Sequence, residues 1–147
     1  MATPDFQWLR LRIAEEKERR EREAMVLERL PRAAADLQQS LATCVERFNA
    51  AFGHGCVELE CHTARMRIIV RDIPGVLGHE LARVEILNVA AIPGFEIDRA
   101  GRPLVIEIGM LPGDKLFYRD READQYLTME ELTRRILDRA LFPKLRE

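Results

Sequence analysis

Apolar residues recur every three or four positions between residues 31 and 52, which is the period of one face of an α-helix. The stripe consists of Leu37, Leu41, Cys44, Val45, Phe48, Ala51 and Phe52. After Gly53 the apolar period changes to two, which is typical of β-strands with one buried face. Such strands need an apolar surface to lie against, so we expect this helix to be the central element of the core.

The same helical stripe continues towards the N-terminus through Val26 without a change of phase. Pro31 interrupts it, because proline lacks a backbone N–H and clashes with the preceding helical turn. Leu30 would be a poor N-cap for a new helix. The pattern therefore favours one long helix kinked near Pro31 over two independent helices. Thr3 as N-cap and Pro4 at the first helical position predict where it begins.

The segment from Glu15 to Glu23, called the charged spacer below, contains no apolar residue. It places glutamate four residues before arginine three times, an arrangement that stabilises isolated helices. These pairs are Glu15–Arg19, Glu16–Arg20 and Glu18–Arg22. A helix without an apolar face cannot pack along a core. We therefore predict that residues 1–30 form an extended charged helical arm and residues 31–147 a single α+β domain.

Apolar residues reappear on the N-terminal side of the charged spacer. Phe6, Leu9 and Ile13 have the spacing of one helix face, and Trp8, the only tryptophan of the chain, lies among them. One interpretation is that they pack against a second copy of the chain or another protein. The alternative is that the helix folds back over its own sheet, or frays. We take Phe6, Trp8, Leu9 and Ile13 as candidate partner-binding residues.

The alternating region predicts an antiparallel meander of five to six strands. Apolar positions mark strands near residues 57–61, 66–70, 81–91, 95–97, 104–110 and 116–118. Turn residues such as Pro93-Gly94 and Pro112-Gly113 separate the later strands. The inward-facing set would be Leu59, Met66, Ile68, Val84, Ile106 and Ile108.

A C-terminal helix is predicted after Thr128, which forms a capping box with Glu131. Its apolar stripe contains Leu132, Ile136 and Ala140, and Pro143 ends it. The fold class that follows is α+β: a long kinked N-terminal helix, the meander and a C-terminal helix. Both helices should cover the same sheet face in a two-layer sandwich.

Composition narrows the classes of function. The net charge of −2 and the pI near 6.0 disfavour a general nucleic-acid binder, which needs a basic excess. No apolar run approaches the roughly 18 residues of a membrane span, and Arg10 and Arg12 interrupt any signal-peptide core. We expect a soluble cytoplasmic protein. The 20 arginines against 3 lysines indicate a GC-rich bacterial genome.

Candidate chemistry is sparse. His54, Cys56, Cys61 and His62 are metal-ligand types, but a strand between them would separate Cys56 from His62 by roughly 20 Å. We expect packing thiols, surface imidazoles and no metal. The single serine, Ser40, lies on the predicted central helix, away from any nucleophile elbow. We therefore expect no catalytic residues and no cofactor.

Two smaller groups of polar residues remain. Asp72, with His79 and Glu80 across a Pro-Gly loop, forms the most site-like group, although strand-end aspartates are commonly turn formers. Charged residues alternate with the inward set and should pair across strands on the outward sheet face. That face also carries apolar positions, so a partner covering it stays an alternative.

Two hypotheses of function follow. The first is a non-enzymatic interaction module that self-associates, as a dimer, or binds a protein partner through the N-terminal helix. The second is a small apolar-ligand binder, or an enzyme, with a pocket between the sheet and the helices. The inward set offers almost no polar group, so a ligand held there should be apolar, such as an acyl chain.

Overall fold

The computed structural model describes residues 3–75 and 78–144. In these residues the element order is α1 (Gln7–Phe52), β1 (Val57–His62), β2 (Arg65–Arg71), β3 (Glu80–Val89), β4 (Gly94–Arg99), β5 (Arg102–Leu111), β6 (Lys115–Asp120), β7 (Gln125–Leu127) and α2 (Met129–Leu141). The α+β class and the order of helix, meander and helix are confirmed. The strands number seven instead of five or six, because Gln125–Leu127 adds a short strand beyond a polar turn.

The strands form one sheet in chain order, and each pairs antiparallel with the next. Short hairpin loops favour this order, because they let each strand pair directly with the next one in the chain. Between β4 and β5, for example, only Ala100 and Gly101 turn the chain, and both have positive φ angles. Gly109 is required for space and not for its backbone conformation. It lies opposite Phe117 on β6, and a Cβ there would stand 2.0 Å from the Phe117 ring.

Helix α1 runs for 46 residues and continues through Pro31, which makes it about 69 Å long at 1.5 Å per residue. It begins one turn later than its predicted cap. Phe6, not Thr3, is the N-cap residue, in a left-handed conformation and without a side-chain hydrogen bond to the helix. Asp5 does not cap the helix either. Its carboxylate accepts a hydrogen bond from the Arg10 guanidinium at 2.6 Å.

Both helices cover the same face of the sheet, as predicted. Helix α1 contacts β1 and β5, while α2 contacts β3, β4, β7 and α1 itself. One continuous core joins them to the strands, and its most deeply buried large side chains are Leu37, Leu41, Ile68, Ile86, Phe95, Ile106, Leu132 and Ile136. The predicted inward set lies in this core, with Leu59 half-buried at its edge. The space between sheet and helices is therefore filled by packed side chains.

Helix α1 joins the core at Val26, its first buried residue, which is 5% exposed. One turn later, Arg29 Nη1 donates a hydrogen bond to the carbonyl of Asp114 at 2.5 Å. This contact fastens the helix to the turn between β5 and β6. The division of the chain at residue 30 stays a prediction, while the structure places the start of core packing at Val26.

The opposite face of the sheet carries paired charges. Arg67 lies 3.1 Å from Glu85, and Arg71 lies 3.0 Å from Glu58, both across neighbouring strands. Such pairs are ordinary features of a solvated sheet surface. Two apolar residues there, Leu87 and Val105, are partly exposed.

Helix α2 begins at the predicted capping box. The Thr128 hydroxyl accepts from the Glu131 N–H, and the Glu131 carboxylate accepts from the Thr128 N–H. A buried carboxylate, Asp120, then holds the helix to the end of β6 through a 2.5 Å ion pair with Arg135. Because the Asp120 side chain is almost fully buried, removing Arg135 would take the ion-pair partner from Oδ2 and leave only the backbone donors of Glu122 and Ala123 on Oδ1.

The start of β1 is held by the end of α1. Asn49 Nδ2 donates to the Val57 carbonyl at 2.9 Å, and the Val57 N–H donates to Asn49 Oδ1 at 3.0 Å. Val57 is 2% exposed, so water cannot replace these bonds. The substitution Asn49→Ala should lower the free energy of unfolding by about 1–3 kcal/mol, since it leaves buried polar groups without partners.

Urea unfolding followed by circular dichroism measures this effect. Gln38→Ala, at an exposed position of the same helix, is the matched control and should change stability by less than about 0.5 kcal/mol. Equal stabilities of the two variants would show that the Asn49 bonds contribute nothing net.

Candidate functional site

The candidate residues near the N-terminus are exposed to solvent in the single chain. The exposed fractions are 56% for Phe6, 65% for Trp8, 43% for Leu9 and 45% for Ile13. The alternative in which the helix folds back over its own sheet is therefore not the arrangement observed. Solvent contact of four large apolar side chains at one end of a helix is unusual for a chain that acts alone.

Leu11 belongs to the same group and was missed by the sequence analysis. It is 57% exposed and lies three residues after Trp8, so the two side chains are neighbours on the helix surface. Phe6, Leu9 and Ile13 form one row along the helix, and Leu11 falls outside that row. Its spacing from Trp8 was the available signal. The five residues Phe6, Trp8, Leu9, Leu11 and Ile13 are called the apolar tip below.

The charged spacer separates the apolar tip from the core. Twelve residues lie between Ile13 and Val26, the first buried residue of α1, and the two are separated by about 20 Å along the helix. Along this stretch Arg19 pairs with Glu16 at 2.7 Å and with Glu23 at 2.5 Å. Hydrogen bonds from Arg19 and Arg20 lower the pKa of Glu16 to about 2. The spacer is thus a helix supported by its own charges, with the tip at its N-terminal end. From Arg19 onwards it lines a cavity together with residues of the sheet such as Ile92 and Phe117.

A second apolar surface lies where α1 and α2 run side by side. It is a groove of about 790 Å³, called the helix groove below. Every residue that lines it belongs to one of the two helices or directly follows α2. They are Ser40, Thr43, Cys44, Arg47, Phe48, Ala51, Phe52, Met129, Glu130, Thr133, Arg134, Leu137, Asp138, Leu141 and Phe142.

Aromatic rings form one end of the helix groove. The ring of Phe48 lies 4.7 Å from that of Phe52 and 5.7 Å from that of Phe142, measured between centroids. Phe52 is 64% exposed, although its spacing predicted a place in the core stripe. At the other end, the hydroxyls of Ser40 and Thr133 share a 2.7 Å hydrogen bond.

The structure separates the other candidate ligands and nucleophiles. Cys56 is buried, whereas Cys61 is exposed, which corrects the expectation of a packing thiol at Cys61. Cys61 lies near the end of β1, an edge strand. Partial desolvation raises the pKa of its thiol, the opposite of what an activated nucleophile requires. Across residues 3–75 and 78–144, no three His, Cys, Asp or Glu side chains are grouped to hold a metal ion.

Asp72 is a turn former. Its Oδ1 accepts hydrogen bonds from the backbone N–H groups of Ile73 and His79, at 2.8 and 2.7 Å. These two donors contribute to a lowered pKa of the Asp72 carboxyl. The side chain of His79 is mostly solvent-exposed. The pair therefore fits the closing of a loop by an aspartate side chain.

Comparisons with protein-family models, with curated proteins and with solved structures give no match to this chain. In the part of the chain that the structure describes, no helix combines the length and the hydropathy that crossing a bilayer requires.

The ionisation of Glu16 tests the spacer directly. Because its pKa is lowered from 4.5 to about 2, its contribution to helix stability is present above pH 4.5. That contribution is lost as the pH falls towards 2. We expect carboxyl NMR to find Glu16 titrating well below the other glutamates at low ionic strength.

The double variant Arg19→Gln, Arg20→Gln should return the Glu16 midpoint towards 4.5. Arg32→Gln serves as the control, since Arg32 pairs with Asp36 farther along the helix. A Glu16 midpoint near 4.5 in the unmodified chain would mean that the spacer pairs do not form in solution.

Proposed function

We propose that this chain is a non-enzymatic self-associating module, most simply a dimer, whose apolar tip binds a protein surface. The observation that carries the proposal is the exposure of five large apolar side chains at the far end of a spacer that has no core to join. At their exposed fractions these side chains offer roughly 400 Å² of apolar surface. A patch of that size on a single chain is often functional.

The charged spacer supports the same proposal. A helix that served only to extend the core would carry the apolar stripe along its whole length. Here no large apolar residue lies between Ile13 and Met25. A polar rod with an apolar end presents that end to a partner and keeps the rod itself solvated.

The alternative of an apolar-ligand binder or enzyme has less support. Buried side chains such as Leu37, Ile68 and Ile106 occupy the space between the sheet and the helices. The helix groove is lined only by residues of the two helices and by Phe142, so it does not lie between the sheet and the helices. We also propose that the protein acts in the cytoplasm, a compartment in which its three free cysteines would stay reduced.

Light scattering of the full chain at micromolar concentration tests self-association, and we expect the mass of a dimer. The double substitution Trp8→Ser, Ile13→Ser removes exposed apolar surface without touching the core, so it should weaken the dimer at least tenfold. Leu81→Ser, at a site 61% exposed on β3, is the matched control and should leave the mass unchanged. A monomer mass for the unmodified chain at every concentration would refute self-association.

A further inference from the structure

We propose that the apolar tip of one copy lies in the helix groove of a second copy, and that the second tip returns to the first groove. This inference rests on the proposed self-association and names the surface that the tip binds. The occupant of the groove is thus a second copy of this chain.

The tip cannot reach its own groove. Both surfaces lie on the same continuous helix, with Leu9 near the middle of the tip and Glu46 level with the middle of the groove. Leu9 and Glu46 are 37 positions apart, which corresponds to about 55 Å of helix at 1.5 Å per residue. Since Pro31 leaves the helix unbroken, only another molecule can bring a tip to this groove.

The dimensions of the two surfaces agree. The helix groove follows α1 from Ser40 to Phe52, a length of about 18 Å. The tip, residues 6–13, covers about 12 Å of helix. A short apolar helix lying between two others is a common mode of recognition, with anchors spaced three and four residues apart. Leu9 and Ile13 have the spacing of four, and Trp8 and Leu11 that of three.

The buried area favours a reciprocal arrangement. One tip of roughly 400 Å² against one groove would bury roughly 800 Å² in total, at the level of crystal-packing contacts. Two tips in two grooves would bury roughly 1,600 Å², the size of a standard stable interface. A two-fold axis that crosses α1 midway between tip and groove closes the dimer and brings both contacts together.

Charge permits this contact. The groove is lined by two basic side chains, Arg47 and Arg134, and two acidic ones, Glu130 and Asp138, so it has no net charge to repel the tip. With the two helices antiparallel about residue 28, Arg10 of each copy would lie level with Glu46 of the other. The same register places Arg20 level with Asp36 and the two Glu28 side chains level with each other on the axis.

Native Cys44 makes the contact measurable, because it lies in the groove and is partly exposed. In the same register residue 12 lies level with residue 44. We therefore place a second thiol with Arg12→Cys, which leaves the five tip residues unchanged. Cys61→Ser removes the other exposed thiol, and Cys56 is buried. Treatment with a short bismaleimide should give a covalent dimer, in which mass spectrometry finds residue 12 of one copy linked to residue 44 of the other.

Adding Cys44→Ala should abolish this cross-link. A link between residue 12 of one copy and residue 12 of the other that survives Cys44→Ala would mean that tip binds tip. That result would overturn the inference. A dimer by light scattering with neither link would also overturn it, while leaving the proposed self-association intact. A monomer by light scattering would contradict both proposals.

A groove substitution gives a second, independent readout. Phe52→Glu places a charge among the aromatic rings at an exposed position and should weaken the dimer at least tenfold. Leu81→Glu has a similar exposed fraction outside the groove and should leave the affinity unchanged. Equal affinities for both variants would exclude the groove as the binding surface.

Discussion

The continuity of α1 is the constraint on which the rest of the structure depends. Because the helix continues from Gln7 to Phe52, its core-forming part and its solvated part belong to one rod. Pro31, which removes one hydrogen bond, lies on an exposed side of that rod. The position of the apolar tip relative to the domain is therefore set by the helix and not by a flexible linker.

The domain fixes this rod at several points. Arg29 binds the turn between β5 and β6, and Asn49 holds the first residue of β1. Helix α2 lies beside α1 and is secured in turn by its capping box and by the Asp120–Arg135 ion pair. The same placement of α2 creates the helix groove, so the elements that stabilise the core also shape the surface that we assign to the second copy.

Much of the fold could be predicted because its signals are local. A change of apolar period after Gly53 marks the passage from helix to strands, and the Thr128–Glu131 capping box marks the start of α2. The seventh strand was missed because three residues carry too little pattern to detect. The start of α1 was misplaced because Thr3 and Pro4 have the residue types of a helix start, whereas the helix begins after Phe6, whose backbone is left-handed.

The surfaces were harder to predict than the elements. Periodicity reports which residues share a face, but exposure depends on what covers that face. The periodicity therefore predicted a core position for Phe52, although its side chain lies exposed at the edge of the helix groove. The four tip residues were identified because the charged spacer isolates them from any core, and Leu11 was missed because it lies on a neighbouring row.

Trp8 tests the central claim most directly, since it is the only tryptophan of the chain and lies at the apolar tip. We predict that its fluorescence emission shifts to shorter wavelength, and that acrylamide quenches it less, as the protein concentration rises through the range of dimer formation. In the single chain Trp8 is 65% exposed, so dilution should restore long-wavelength emission and efficient quenching. Emission that stays at long wavelength and fully quenchable while light scattering reports a dimer would contradict the account.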